Sequence, residues 1–279
     1  MPQQFAFTLC ADDYGMTPAV SAGILEAAAA GRISCASAMA NMADWPRAAA
    51  AWRAAAPRAS LGLHFNLTLA APLAPMPALA PGGGLPALPA IAAAALRSAL
   101  PLAEIEAEAG RQIDAFRQAF GADPAHIDGH QHVHALPGVR RAFFAALRRA
   151  GLQGVLLRDS SDRPARIARR KALAAKAMQV NALTFGFRAA ARKAGFALND
   201  GFAGYSSFAA QAVGAELFGS YLIAPGPRHL VMCHPGHIDE ALRRLDPVVD
   251  SRPAELAFLL SPQFLDLLTA RGARLSPSG

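Results

Sequence analysis

A chain of 279 residues with 53% hydrophobic and 17% charged residues carries enough apolar mass for a core and is too apolar for disorder. That length allows one large domain or two small ones, and a core of this size needs neither disulfide nor metal to hold it. The formal net charge of +7 permits attraction to polyanions without requiring it. Much of the excess lies in Arg158–Lys193, which includes Arg163, Arg166, Arg169, Arg170, Lys171, Lys176, Arg188, Arg192 and Lys193. It reads as a solvated arginine-rich face, and with no interleaved aromatics no nucleic-acid partner is expected.

The N-terminal stretch MPQQFAFTLCADDYG has no basic segment followed by a long apolar run. No segment reaches the roughly 18 uninterrupted apolar residues of a membrane helix. The cysteines Cys10, Cys35 and Cys233 are an odd, sparse set that offers no disulfide framework. Together these features predict a cytoplasmic protein without a transmembrane segment.

Short strand-like runs alternate with helix-like ones. Phe5–Ala11 predicts a strand, and Thr17-Pro18 starts a helix that stops at Gly31. A strand follows near Ile33–Met39, then an alanine-rich helix opened by Asp44 and Pro46 and finished by Pro57. Ser60–Leu67 reads as the third strand. Ala70–Pro89, rich in Pro, Ala and Gly, reads as a long loop. Pro101–Phe120 has helical spacing at Ile105, Ile113, Phe116 and Phe120, and Gly121 closes it.

His126–Asp128 predicts a short strand running into a histidine-rich stretch. Pro137 opens a helix ended by Gly151, and Leu152–Leu157 predicts a strand that delivers Arg158 and Asp159. The basic segment 163–193 is helical in composition without a clear place. Leu230–Cys233 is a further strand, followed by helices over Pro253–Leu260 and Pro262–Arg271. Strand-then-helix order throughout implies one domain over residues 1–279 with a mostly parallel sheet, open or closed into a barrel. Either form gathers ligands at the carboxyl ends of the strands.

The chemically useful residues lie at those ends. Asp12-Asp13 follow the first strand, and neighbours on an extended chain point to opposite faces, so one carboxylate can serve a metal and the other a substrate. His64 sits in Leu-Gly-Leu-His-Phe-Asn. Such a residue is more often a hydrogen-bonded core histidine than a ligand, and its weight comes from company. The run His126-Ile127-Asp128-Gly129-His130-Gln131-His132-Val133-His134 holds four histidines. Extended, it puts His130, His132 and His134 on one face; helical, it pairs His130 with His134, with Asp128 available to orient an imidazole. His234 suits a general acid near neutral pH, whereas Cys233 reads as a small buried apolar group.

Ala11-Asp12-Asp13-Tyr14-Gly15, Leu61-Gly62-Leu63-His64-Phe65, the His126–His134 run and Met232-Cys233-His234-Pro235, in this order, resemble the signature blocks of the YdjC-like carbohydrate deacetylases. That family includes chitooligosaccharide deacetylases and relatives tied to hopanoid biosynthesis. The resemblance implies an irregular (β/α) barrel of the glycoside hydrolase/deacetylase type, to which this sequence adds a Pro/Ala-rich loop and a basic helical insertion. It implies Asp13, His64 and His130 as ligands of one divalent metal, Asp12 as catalytic base and His234 as acid. Arg158 would hold Asp12 ionised and oriented. The family is described with Mg²⁺, whereas the ligand types are better suited to Zn²⁺ or another transition metal, so the metal is left open.

The expected reaction is hydrolysis of an N-acetyl group from an amino sugar, with a small N-acetylated sugar as substrate; a homodimer is compatible. The basic segment has no counterpart in the shorter chitooligosaccharide enzymes, which leaves the sugar open. A metal-dependent phosphoesterase could use the same ligands, and a hopanoid-linked deacetylase would share the chemistry. A glycosidase fits poorly, because Asp12 and Asp13 are adjacent rather than facing each other across a substrate.

Overall fold

The computed structural model describes residues 4–276, so the first three residues of the N-terminal stretch lie outside it. Its centre is β1 (Phe5–Tyr14), paired in parallel with β2 (Cys35–Ala38) on one side and β8 (His229–Cys233) on the other. Beyond β2 come β3 (Ser60–Phe65), β4 (His126–Gly129), β5 (Leu156–Leu157) and β6 (Ala197–Leu198); beyond β8 lies β7 (Phe202–Ala203). These ladders are parallel, and β9 (Ala273–Leu275) joins the start of β1.

The two edge strands, β6 and β7, are consecutive in the chain, with residues 199–201 between them. So short a link keeps the edges together, and the sheet curls into an irregular barrel in which, among the described residues, no ladder joins these two edges. Asn199 ties the seam instead, its Nδ2 donating to the carbonyls of Asp159 (2.9 Å) and Gly201 (3.1 Å).

The first helix, α1 (Pro18–Ala29), starts as its sequence demands: Thr17 Oγ1 accepts from Val20 N–H at 3.3 Å, with Pro18 in the first turn. Its Gly23 lies against the Gly236 backbone, where a Cβ would sit 2.7 Å from Gly236 Cα. Only glycine lets α1 approach the turn that follows His234. Helices α2 (Trp45–Ala55), α3 (Leu88–Leu96), α4 (Leu102–Phe120) and α5 (Val139–Arg149) cover the same outer surface. Trp45 of α2 stacks on Phe116 of α4, with 5.1 Å between ring centroids.

Two polar residues on the buried face of α4 anchor the chain after β3. Gln112 exchanges bonds with the Asn66 backbone (3.0 and 2.7 Å), and Glu108 accepts from Leu73 N–H (3.0 Å).

The basic segment forms α6 (Pro164–Arg170), α7 (Ala174–Leu183) and α8 (Phe187–Lys193). It is not simply a solvated face. Arg170 pairs with Asp162 at 2.7 Å, Arg188 with Asp159 at 2.7 Å, and Arg166 with Asp162 at 3.2 Å. The chain then continues through α9 (Ala215–Tyr221), α10 (Glu240–Leu245), α11 (Ser251–Leu260) and α12 (Pro262–Arg271). Among the described residues no helix is long and apolar enough to cross a membrane, and all three cysteines are free and buried.

Several expected strands are shorter than their sequences suggest. The fifth is limited to Leu156–Leu157 rather than Leu152–Leu157, and the second begins at Cys35 rather than Ile33. Alternate residues of β1 separate cleanly: Phe7, Leu9 and Ala11 join the cluster under the helices, while Cys10 joins Phe202, Tyr205, Leu230 and Met232 in a smaller one.

Candidate active site and metal centre

Where β1 ends, alternation breaks. Asp13 has a left-handed backbone (φ 76), and the β1–β2 register shifts between Ala11 and Tyr14. The expectation that Asp12 and Asp13 point to opposite faces therefore fails: both line one cavity of about 280 Å³ together with His64, His130, His234 and Arg252. A non-glycine residue in this conformation is strained, and such strain is typical of functional sites.

Asp13 Oδ1 lies 3.0 Å from His130 Nδ1 and 3.4 Å from His64 Nε2. The donor atoms of these three buried residues are all within 4.8 Å of one another, so the group could hold a metal ion. The other face of the His64 ring is fixed by Asp128, whose Oδ1 lies 2.6 Å from Nδ1. A carboxylate behind an imidazole sets the tautomer that leaves Nε2 as a ligand. Burial lowers the His64 pKa, but the charges of Asp128 and Asp12 and hydrogen bonds to Asp128 and Asp13 outweigh it and push it up to about 10.

The second oxygen of Asp13 belongs to Arg252, whose Nη2 donates to Oδ2 at 2.7 Å and to Asp246 Oδ2 at 3.0 Å. Burial alone would raise the Asp13 pKa; the Arg252 guanidinium and His130 hold it well below the usual carboxylate range instead. Oδ2 is thus engaged and Oδ1 is the oxygen turned to the histidines.

Asp12 is gripped by Arg158 from β5's carboxyl end through two contacts of 2.6 Å, and the same guanidinium touches Asp128 Oδ2. Arg158 is itself located by His134, whose Nε2 lies 2.8 Å from the Arg158 carbonyl oxygen.

The histidine run is neither extended throughout nor α-helical: it leaves β4 into a kinked 3₁₀ segment over His130–Ala135. Gln131 (φ 51) and His132 (φ 59) turn left-handed, so successive side chains go to different places. His130 meets Asp13, His132 reaches Ser160 Oγ at 3.0 Å, and His134 points to β5. Only His130 of the run joins the Asp13 group.

His234 follows β8. Its backbone N–H donates to Glu255 Oε2 at 2.6 Å, Phe208 meets its ring edge-on at 5.4 Å, and its Nδ1 has no protein partner. Burial lowers the His234 pKa, and the nearby Asp13 and Asp12 charges oppose that. Burial also pushes Glu255 up to about 7 against the His234 N–H bond and Arg252.

Arg252, Asp246 and Glu255 were not singled out from the sequence. They sit in or beside C-terminal helices whose other charged residues are exposed, and no local spacing separates them from those. The rest of the cavity wall is mostly apolar, with Leu88, Leu136, Val180, Leu183, Phe208 and Val248, but Gln131, His132, Lys176 and Thr184 also line it. Two further buried groups, Cys10–Cys35–His126 and Cys10–Asp12–Asp128, bring three donors equally close.

The chain is similar to known proteins along nearly its whole length. A chitooligosaccharide deacetylase of Enterobacter sp. (strain 638) is 33% identical over 270 residues, covering 95% of this chain and 94% of that protein. The chitooligosaccharide deacetylase of Citrobacter koseri is 34% identical over 271 residues, covering 95% and 94%. In fold, the chain superposes on the crystal structure of a candidate cellobiose-phosphate cleavage protein from Enterococcus faecalis V583. The TM-score is 0.78 at 23% identity, over 99% of this chain and 98% of that one. The profile of the YdjC-like protein family matches residues 6–270, and the chain belongs to that family.

Proposed function

We propose that this protein is a metal-dependent carbohydrate deacetylase that releases acetate from an N-acetylated amino sugar. The observation that carries the reading is the meeting of Asp13, His64 and His130 in one cavity with the Arg158-clamped Asp12 and with His234. Relatives named chitooligosaccharide deacetylase, alignable over nearly the whole chain, support it.

Asp13, His64 and His130 would hold the cation. The donor set fits, being one carboxylate and two imidazoles, with His64 braced from behind by Asp128. A divalent cation supplies Lewis-acid polarisation of an acyl oxygen and a lowered pKa for water. Mg²⁺ is the family's usual metal, and Zn²⁺ or another transition metal suits the histidines.

The chain's own residues do the proton work. Asp12, held and oriented by Arg158, takes the proton of the water that attacks the acetyl carbon. His234, in its protonated form, hands a proton to the nitrogen as the C–N bond breaks. Asp128 and Arg252 keep the His64 ring and the Asp13 carboxylate in place throughout.

The apolar part of the wall favours a second reading within the same chemistry. Leu88, Leu136, Val180 and Leu183 offer a sugar hydroxyl no hydrogen bond, so an amino sugar joined to an apolar aglycone, as in a hopanoid glycoconjugate, suits the cavity better than a long chitin oligomer.

Acetate and phosphate release should be measured over a panel of N-acetylated and phosphorylated sugars, with and without chelator. Chelator-sensitive acetate release supports the reading. Phosphate release without acetate would replace it with a phosphoesterase.

A further inference from the structure

We propose that Cys10, Cys35 and His126 form a second cation site, selective for a thiophilic divalent ion, inside the barrel and deeper along the same strands than the Asp13 group. Cys10 and Cys35 are register partners on the neighbouring parallel strands β1 and β2, and both belong to the small inner cluster. His126 opens β4 and brings Nε2 to 3.6 Å from Cys10 Sγ. The three donor atoms lie within 4.8 Å of one another. Metal–sulfur and metal–nitrogen bonds of about 2.3 and 2.0 Å place tetrahedral ligands on the order of 3.5–4 Å apart, so small side-chain shifts close the site.

The seat of the imidazole is built into the neighbouring strand. A Cβ at Gly62 would stand 2.5 Å from His126 Cε1 and Nε2 and from its carbonyl oxygen, so the ring occupies the space a side chain on β3 would take. His126 is 1% exposed, yet its Nδ1 has no hydrogen-bond partner. Buried polar atoms are rarely left so. Ser37 Oγ gives its one proton to Asp128, so Nε2–H donates to Ser37 in the metal-free ring; because no protein group holds Nδ1, the proton can move there when a cation takes Nε2.

Donor chemistry sets the selectivity. Thiolates prefer soft ions such as Cd²⁺, whereas the sulfur-free Asp13 group accepts harder ions as well as Zn²⁺. Binding is charge-balanced: one dication displaces the two thiol protons to solvent, and two thiolates cancel its charge, so no net charge is added to the interior. No oxidant or other reactant is required.

Occupancy would be felt at the active site. Ser37 Oγ lies 2.9 Å from His126 Nε2 and donates to Asp128 Oδ2 at 2.6 Å, and Asp128 in turn braces His64 and touches Arg158. An ion that takes His126 Nε2 removes the bond to Ser37 and so disturbs the group that orients His64. This consequence, inhibition by thiophilic ions, rests on the proposed deacetylase reading; the binding itself does not.

The test uses the reduced, chelator-stripped full-length protein with excess Cd²⁺, added to the native state and, in a second sample, during refolding, because the thiols are fully buried. Bound cadmium is counted, and the thiolate-to-cadmium charge-transfer band is recorded in the ultraviolet. The expected result is a band in the wild type and in His130→Gln. The variant Cys10→Ser/Cys35→Ser should lose the band and one equivalent of cadmium while keeping the sulfur-free site. A separate Cys35→Ala variant, which fills its position with a small apolar group, guards against a folding defect and should weaken cadmium binding at least tenfold. Absence of the band in both wild-type samples, or its survival with only Cys233 present, overturns the proposal. If acetate release is absent from the wild type while the band behaves as expected, the deacetylase reading fails and the site stands.

Discussion

Arg158 meets Asp12 fork to fork, Nη1 to Oδ2 and Nη2 to Oδ1, both at 2.6 Å. Bidentate pairing of this kind fixes orientation as well as charge. Asp12→Asn keeps the shape and removes the proton acceptor. Its turnover is expected to fall roughly 10²–10⁴-fold while metal content stays unchanged. Metal analysis alongside kinetics checks this, and loss of the metal would mean that the two aspartates exchange roles.

Arg158→Met is a different experiment. It leaves Asp12 and Asp128 buried without their common cation, at a cost of about 3–5 kcal/mol. Denaturant unfolding measures this, and a loss below about 1 kcal/mol would show that the carboxylates find other partners.

Asp128 braces His64 from behind. Asp128→Asn should therefore weaken cation affinity by about 10–100-fold, read by competition with a chelating dye. Equal affinity in variant and wild type would remove His64 from the ligand set or Asp128 from its support.

The metal-free protein should show a pH signature from the same pair. Folding raises the His64 pKa from 6.5 to about 10, so the native state holds the proton more tightly than the unfolded chain. The stabilisation is complete below pH 6.5 and is lost as pH rises toward 10. Urea melts across that window should show falling stability in the wild type and a flatter profile in His64→Gln. Because a cation competes with that proton, its affinity should rise with pH over the same range.

Glu255 behaves as a buried acid. Its pKa rises from 4.5 to about 7, so the contribution of its neutral form is present below pH 4.5 and disappears as pH climbs through 7. Glu255→Gln retains an acceptor for the His234 N–H and should abolish this slope. A slope that survives in the variant belongs to another group.

Much of this arrangement is legible in the sequence because strand ends announce themselves. Asp12, Asp13, His64, His130 and His234 each follow a run with β character, and parallel α/β topology gathers such residues. Arg158 is legible for the same reason.

The remainder depends on contacts that no local pattern encodes. The left-handed turns at Asp13, Gln131 and His132 bring both carboxylates to one cavity and set which histidine meets Asp13, yet none is glycine. Arg252 and Glu255 are buried only because α11 packs against the barrel mouth. Strands β5, β6 and β7 have two residues each, too few for alternation to register.

A crystal soaked in Mn²⁺ and measured for anomalous scattering tests the central claim most directly. The account predicts one strong peak within bonding distance of Asp13 Oδ1, His64 Nε2 and His130 Nδ1, absent from Asp13→Asn crystals. No peak at that point, with the three side chains ordered as here, would contradict it.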